Sequence, residues 1–519
     1  MKHLTKMWGK FSNIEVNNTF ILTNRLTLKK LNDLNEKDLP LYIGINALSG
    51  SIDIFTQKEG LILEEWIKND TIISDIPNND FIIKLKNRGY IFPSKEIEDL
   101  VFESIITEFK NSKYLNDKIL ALMAIDTSCA MRCKYCFEKR YIKHSDEFEH
   151  SVMDEKSLSD AFKALDFIKQ LQKKDIEWIA GWGGEPLQKK HCEINESFIF
   201  QSKQRQLPVG FFSNLAMVDD KTFAMLKRNS NHIQFIQTTL DTPYQQHNKT
   251  RKIGNAFEKT VDAIKKLLKL GIQVRVRTNV GPDNFQYLPE LADFFQKQSW
   301  FDFPNFIAFA AKLVDRYHEK KSIFTEDEAM SQWLQLQDKF PQVKKMGIFK
   351  FAPSLYNIMR ALRVREATDL VDPVALTNFN DNFEVSINPI ITYCSTANRA
   401  EYIFTGNPSY SIYSCGECSG LSKFKIGSYF PDLTFETDKK KKWGLDSNIK
   451  ELRSIDKLEE CKECPVATFC GGGCSMEAIN AYGDANRVYC NDVQKIISNF
   501  LDKESVRLYK RCRLLLEMS

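Results

Sequence analysis

Apolar and polar positions change rhythm along this 519-residue chain, and each change predicts a different kind of structure. Residues 41–46 and 52–55 alternate around Ser49-Gly50-Ser51, the signal of a β-hairpin. Residues 57–68 then place Leu61, Leu63, Trp66 and Ile67 at helical spacing. A second helix is expected over 79–88, ending at Gly89 and leading into a short strand at 90–92. An amphipathic helix follows over 95–110. Hairpin, helices and short strand together predict a winged-helix-like α+β module within residues 1–117.

From residue 118 the pattern becomes strand followed by helix. Strands are predicted at 119–125, 176–180, 209–212, 233–240, 274–280 and 306–310, with helices such as 156–172, 220–228, 257–270 and 288–298 between them. Six such units predict an α/β core over 118–330, with a parallel sheet that is open or curled into a partial barrel. Ligands of such sheets bind beyond the carboxyl ends of the strands, so the residues just after each strand are the ones to read for chemistry. Residues 331–390 read as a helical connection, preceded by its clearest helix at 326–340. Over 391–500 cysteine and glycine dominate and regular periodicity fades, so the fold there is expected to depend on bound metal. A helix is expected over 493–516, and residues 501–519 are read as a C-terminal helix.

Charge removes some functions from consideration. Lys plus Arg number 72 against 68 Asp plus Glu, and the net charge of +4 argues against a dedicated nucleic-acid surface. The basic run Lys439 to Lys442 reads as a solvated loop. No segment has the ~18 consecutive apolar residues of a membrane span. Residues 1–8 carry charge without an apolar stretch or cleavage site, so a cytoplasmic protein is expected.

The 13 cysteines change the picture most. Disulfide frameworks serve small secreted domains, whereas these thiols gather at 129–136 and at 394–474, which favours metal. Cys129-x3-Cys133-x2-Cys136 directly follows the first predicted strand, with Tyr135, Phe137 and Glu138 beside it. Three thiolates leave one iron of a cubane cluster without a protein ligand, and that open iron can be chelated by a cofactor. The competing interpretation is a zinc site short of a ligand, but no fourth cysteine lies nearby and His144 is the nearest histidine.

This C-x3-C-x2-C loop after strand one resembles the signature of the radical S-adenosylmethionine (SAM) superfamily. The resemblance implies that SAM binds the open iron and that an electron from the reduced cluster cleaves it to a 5′-deoxyadenosyl radical. The next strand ends match in order. Gly181-Trp182-Gly183-Gly184-Glu185-Pro186 is similar to the family's GGEP motif, so Gly183, Gly184 and Glu185 are implied to approach the cofactor. Ser213-Asn214 stands at the family's ribose position. Thr239-Leu240-Asp241 and Arg251 resemble Ser-x-Asp-Gly with an Arg ten residues after the Asp, with Thr242 in place of the Gly. Thr239, Arg251 and Asn279 are thus candidate cofactor contacts, with Tyr135 on the cluster loop.

Cys461-x2-Cys464-x5-Cys470-x3-Cys474 and Cys490, with Cys394, Cys415 and Cys418 upstream, resemble the SPASM module of peptide-modifying radical SAM enzymes. That resemblance implies two auxiliary [4Fe–4S] clusters. One would be held by Cys461, Cys464, Cys470 and Cys490, the other by Cys394, Cys415 and Cys474, with Cys418 the candidate fourth ligand. The family carries Gly five residues before the cysteine matching Cys415, whereas this chain has Tyr410 and its nearest glycine is Gly406. The competing interpretation is two zinc sites of four thiolates each. Gly471-Gly472-Gly473 is suited to a tight wrap, and Cys192 and Cys512 read as buried thiols.

The N-terminal module is similar to leader-peptide recognition domains, which bind by strand addition; a helical cap on the barrel is the other reading. The fold implied by resemblance is α/β: a partial (β/α)6 barrel of the radical SAM type with an N-terminal winged-helix-like module and a C-terminal cysteine-rich SPASM domain. The function implied is a peptide maturase using SAM, three [4Fe–4S] clusters, a leader-bearing peptide or protein substrate and an electron donor such as flavodoxin or ferredoxin. A sulfatase-maturating enzyme is the alternative, although that subfamily has an Asp where Gly416 stands. A non-catalytic zinc-binding peptide receptor is the reading from another class.

Overall fold

A computed structural model describes residues 19–31, 41–74, 79–111, 118–133, 135–136, 150–312, 324–349, 351–361, 390–393, 400–435 and 453–510. Cys394, Cys512, Phe137, Glu138, His144 and the 439–442 run lie outside these residues.

The N-terminal part contains β1 (Thr19–Leu22), β2 (Leu26–Lys30), β3 (Tyr42–Asn46), β4 (Ile52–Phe55), α1 (Gln57–Asn69), β5 (Ile73–Ser74), α2 (Asp80–Asn87), β6 (Ile91–Phe92) and α3 (Lys95–Asn111). The expected hairpin is β3–β4, paired with Ile45 opposite Ile52, and β2 extends it on the other side of β3. A second antiparallel sheet runs β5-β1-β6. Helix α1 begins at a capping box, in which Thr56 accepts from the Glu59 N–H and the Glu59 carboxylate accepts from Thr56 N. Asn79 caps α2 by accepting from Phe81 N and Ile82 N.

The core follows as β7 (Ile119–Asp126), α4 (Glu155–Gln172), β8 (Ile176–Gly183), α5 (Cys192–Gln204), β9 (Val209–Phe212), α6 (Asp220–Arg228), β10 (Ile233–Thr239), α7 (Tyr244–Arg251), α8 (Ala256–Lys269), β11 (Gln273–Val280), α9 (Leu288–Lys297) and β12 (Phe306–Lys312). After it come α10 (Glu326–Lys339), β13 (Gly347–Phe349), α11 (Pro353–Ala361), β14 (Ala400–Thr405), β15 (Ser411–Tyr413), β16 (Gly427–Ser428), β17 (Thr434–Phe435), α12 (Glu459–Lys462), α13 (Ala467–Cys470), α14 (Ser475–Tyr482) and α15 (Val493–Lys503).

All six predicted core strands form and pair in sequence order, β7 to β12, every pair parallel. Among the described residues the sheet is longer than the six strands expected. β13 adds parallel to β12, inside the stretch read as helical connection. β14, from the cysteine-rich segment, adds parallel to β7 with Ala400 opposite Ile119, and β15 to β17 continue antiparallel from it. β7 is therefore covered on both edges, and all eight of its residues are buried, which explains its unbroken apolar run.

The N-terminal part shares a core with the cysteine-rich one. Leu48, Phe92, Ile97, Val101, Phe102 and Ile106 pack with Ile391, Ile455, Leu458, Cys461 and Ala467. Each Leu, Ile, Val or Phe among them contributes about 1.5–3 kcal/mol of burial, so this contact is a structural joint. No helix among the described residues is long and apolar enough to cross a membrane.

Candidate functional site

The carboxyl ends of β7 to β11 converge on one network. Cys129, Cys133 and Cys136 sit on the loop after β7; Cys133 is buried, and Met131 N–H donates to the Cys129 sulfur at 3.4 Å. Asp126, the last residue of β7, shapes that loop by accepting from Ser128 N at 2.6 Å. Its other oxygen lies 2.6 Å from Lys190 Nζ and 2.9 Å from His191 Nε2. Burial alone would raise this carboxyl, but the contacts with His191, Lys190 and Ser128 outweigh it and hold Asp126 well below the usual carboxylate range.

Gly183 and Gly184 press against the same loop. A Cβ on Gly183 would stand 2.4 Å from the Asp126 carbonyl oxygen, and Gly183 has φ +121. A Cβ on Gly184 would stand 2.2 Å from the Ser128 carbonyl oxygen and 2.9 Å from Cys129 N. These glycines thus let β8 approach the backbone that carries the thiols. Glu185, fully buried, ties β8 to β9 by accepting from Ser213 Oγ at 2.6 Å, Asn214 N at 2.7 Å and Leu187 N at 3.0 Å. Burial pushes its carboxyl up to about 7 against those donors.

Asp241, just past β10, is the hub that sequence reasoning did not assign. Its Oδ2 accepts from Tyr135 OH at 2.6 Å and pairs with Arg251 Nη2 at 3.0 Å, while Oδ1 accepts from Asn279 N at 3.1 Å. Arg251 Nη1 donates to the Cys133 sulfur at 3.4 Å, and its guanidinium lies 5.4 Å from the Tyr135 ring centre. Burial opposes that cation, yet Tyr135, Asp241 and Cys133 together raise its pKa above the ordinary value. Burial likewise raises the Tyr135 hydroxyl, assisted by Asp241 and Cys133 against Arg251, so it remains a donor. Burial and Arg251 bring His247 down to about 3, and its neutral ring accepts from Asp241 N at 3.3 Å.

The structure therefore brings Tyr135, Gly183, Gly184, Glu185, Ser213, Asn214, Thr239, Arg251 and Asn279 to the same strand ends, Thr239 through its carbonyl, which accepts from Arg251 at 3.5 Å. Ser213 and Asn279 are turned to Glu185 and Asp241. Among these nine residues two buried side-chain atoms have no hydrogen-bond partner, Asn214 Nδ2 and Arg251 Nε. An orphaned donor of this kind costs about 1–3 kcal/mol until something accepts from it. Both fit a polar cofactor laid against the thiol loop.

Residues 125–295 match the sequence profile of the Radical SAM superfamily. The chain carries a radical SAM domain, which marks it as an enzyme. Membership implies SAM and a [4Fe–4S] cluster. An uncharacterized protein of Archaeoglobus fulgidus is 20% identical over 409 residues, spanning 77% of this chain and 85% of that protein. Among solved structures, native anSMEcpe with bound AdoMet has 16% identity and a TM-score of 0.50, covering 76% of this chain and 99% of that one, a likeness in fold. Streptococcus suis SuiB bound to precursor peptide SuiA gives 14% identity and a TM-score of 0.49, covering 91% and 99%.

The second thiol group of this radical SAM enzyme lies where the N-terminal part docks. Burial and then the neighbouring Cys470 and Cys464 push the Cys461 thiol up to about 12. Cys470 is likewise raised to about 12 by burial, then by Cys490 and Cys464, and Cys464 is raised by burial and Cys490. Cys461 is thus within electrostatic reach of Cys464 and Cys470, and those two are within reach of Cys490, which is itself exposed. Gly471, Gly472 and Gly473 all take left-handed φ, at +71, +79 and +77. A Cβ on Gly471 would meet Tyr393 N at 2.5 Å and one on Gly473 the Tyr489 carbonyl oxygen at 1.8 Å, so the three wrap tightly beside Cys461. Buried Arg453 donates to the carbonyls of Gly472 at 3.1 Å and Gly473 at 2.8 Å.

Cys415 and Cys418 share one tight turn, in which Cys418 N donates to the Cys415 carbonyl at 3.0 Å. A Cβ on Gly416 would lie 3.5 Å from the Trp182 ring, so this turn packs against β8. Tyr410, standing where the family has Gly, keeps a glycine-like backbone with φ +44. Its ring lies 4.7 Å from that of Phe430, a contact glycine could not make. Cys192 is buried in the main core, as expected. None of the 11 described cysteines forms a disulfide. Among the described residues no three His, Cys, Asp or Glu side chains converge closely enough for a single metal ion.

Proposed function

We propose that this radical SAM enzyme modifies a ribosomally made, leader-bearing peptide, with auxiliary [4Fe–4S] clusters in its cysteine-rich segment. The observation that carries the proposal is the joint between the N-terminal part and the second thiol group, which share one apolar core. β4 pairs with β3 alone among the described strands, and such an edge is suited to accept a peptide as an added strand. The electrostatic influence of Cys464 and Cys470 on Cys461, and of Cys490 on Cys464 and Cys470, is consistent with a four-thiolate set.

When bound, the cluster and SAM supply a radical that abstracts hydrogen from the peptide. The chain's own residues hold and orient these groups. Cys129, Cys133 and Cys136 would hold the cluster, leaving one iron open to SAM. Arg251 keeps a cation against Cys133, while Asn214 Nδ2 and Arg251 Nε are donors available to the cofactor's acceptors. Cys394, Cys415, Cys418 and Cys474 are assigned to a second auxiliary cluster. A one-electron donor of the flavodoxin or ferredoxin kind would reduce the site. Sulfatase maturation is disfavoured because Gly416 supplies no carboxylate after Cys415.

The test is co-expression with any short open reading frame found beside its gene, followed by mass spectrometry of that peptide. The expected result is a defined mass change that is lost in Cys461→Ala. An unmodified peptide, with deoxyadenosine release intact, rejects that peptide as substrate; modification undiminished in Cys461→Ala rejects the role of the second thiol group.

A further inference from the structure

Arg25 lies in the turn between β1 and β2, far in sequence from any cysteine, yet it is fully buried against the second thiol group. Its Nη1 donates to the Cys464 carbonyl at 3.0 Å and its Nη2 to the Lys462 carbonyl. The guanidinium stacks 3.8 Å from the centre of the Phe102 ring, and Nε is buried without a hydrogen-bond partner. Both terminal nitrogens are thus given to the backbone of the Cys461-x2-Cys464 loop. Carboxylates stand around it: Glu98, Glu463 and Asp99 all act on the guanidinium, although burial outweighs them and lowers its pKa. Glu98 accepts from Thr23, and Glu463 accepts from Asn24 at 2.9 Å and pairs with Lys95 at 3.3 Å.

Burying a guanidinium is costly, and a mere anchor for two carbonyls would not require a charge. Besides these carboxylates the cation faces the Cys461-x2-Cys464 loop, where a negatively charged bound group would stabilise it further. We propose that Arg25 is a positioning residue that supplies positive charge to the group bound by Cys461, Cys464, Cys470 and Cys490, and so raises its reduction potential. The N-terminal module, offered above as the peptide-docking unit, thereby sets the electron affinity of the auxiliary site. This rests on the auxiliary-cluster reading of those four thiols.

The physical size follows from the contact. A residue's own carbonyl oxygen and Sγ are at most about 5 Å apart, so Arg25 Nη1 lies within about 8 Å of the Cys464 sulfur. A full charge at that range, with an effective dielectric near 20, changes the oxidised-to-reduced ratio by about thirtyfold. For a one-electron couple thirtyfold corresponds to about 90 mV. A buried cation favours the more negative, reduced cluster, so its removal shifts the potential downward.

The experiment uses the full chain, reconstituted anaerobically, with iron analysis and an EPR-monitored redox titration of the parent, Arg25→Gln, Arg25→Lys and Lys29→Gln. Lys29 is the control, a cation of β2 paired with Asp502 at 2.8 Å. The expected result is one cluster shifted about thirtyfold toward the oxidised state in Arg25→Gln, about threefold or less in Arg25→Lys, and unmoved in Lys29→Gln. If Arg25→Gln loses about four irons that Arg25→Lys retains, the charge requirement is also upheld. Full iron with unchanged potentials in Arg25→Gln overturns the proposal, as does equal loss of iron in both Arg25 variants. About four irons in the parent chain would instead remove the auxiliary-cluster reading itself, an outcome separable from the behaviour of Arg25.

Discussion

Replacing Gly184 by Ala adds one methyl group where the cluster loop and β8 touch through backbone. The new carbon would stand 2.2 Å from the Ser128 carbonyl oxygen, 2.4 Å from its carbon and 2.9 Å from Cys129 N. An ordinary carbon–oxygen contact is about 3.4 Å, so the loop has to retreat by about 1 Å. All three crowded atoms are main chain, so no side chain can swing aside. Overpacking of this kind costs about 1–3 kcal/mol. The atoms that move include the amide of the first thiol ligand, and a 1 Å misplacement near reacting groups costs about 10²-fold in rate. Gly254→Ala is the matched control, because a Cβ there meets nothing within 4 Å. The assay is anaerobic iron retention, thermal unfolding and deoxyadenosine release for both variants. We expect Gly184→Ala to lose stability and about two orders of magnitude in release, with Gly254→Ala like the parent. A Gly184→Ala enzyme equal to the parent on all three readings would refute the packing argument.

Asp241→Asn should lower stability to denaturant by about 3–5 kcal/mol, because it strands the buried Arg251 cation 3.0 Å away; a loss below about 1 kcal/mol contradicts this. Glu185 binds its proton more tightly folded than unfolded, with the folded value about 7. Its contribution is therefore present in full below about pH 4.3 and is lost as pH rises toward about 7. Glu185→Gln should flatten that part of the stability–pH curve, and an unchanged slope would count against it. Cys461→Ser should lower the iron content from about twelve to about eight atoms per chain while deoxyadenosine release persists. Zinc in place of iron in the parent would end the cluster reading.

The parallel core was legible because its strands read as apolar or alternating runs and most are followed by a helix with one apolar face. β7 is buried from end to end, and α8 carries Phe257, Val261, Ile264 and Leu268 on its buried side. Helix α7 gave no such signal, since Tyr-Gln-Gln-His-Asn-Lys-Thr-Arg has no apolar stripe; the fold buries His247, Asn248 and Arg251 for their polar contacts instead. β14 escaped notice because its alignment on β7 is a long-range pairing across nearly 300 residues of chain. At the site, the strand-end residues were visible one by one, but their partners were not. Asp241 stood inside a recognised motif without a role, and Asp126 with His191 carried no motif at all. Gly183 and Gly184 were expected to give room to a cofactor, and their closest neighbours are the backbone of residues 126–129. The distance from Arg25 to Cys464 spans 439 residues, which no local pattern could convey.

Reduction of the anaerobically purified protein in the presence of S-adenosylmethionine, with chromatographic detection of 5′-deoxyadenosine, bears on everything above. Release by the parent and its disappearance in Cys133→Ala is the predicted outcome. No release by a parent that holds its iron, or release undiminished in Cys133→Ala, would contradict it.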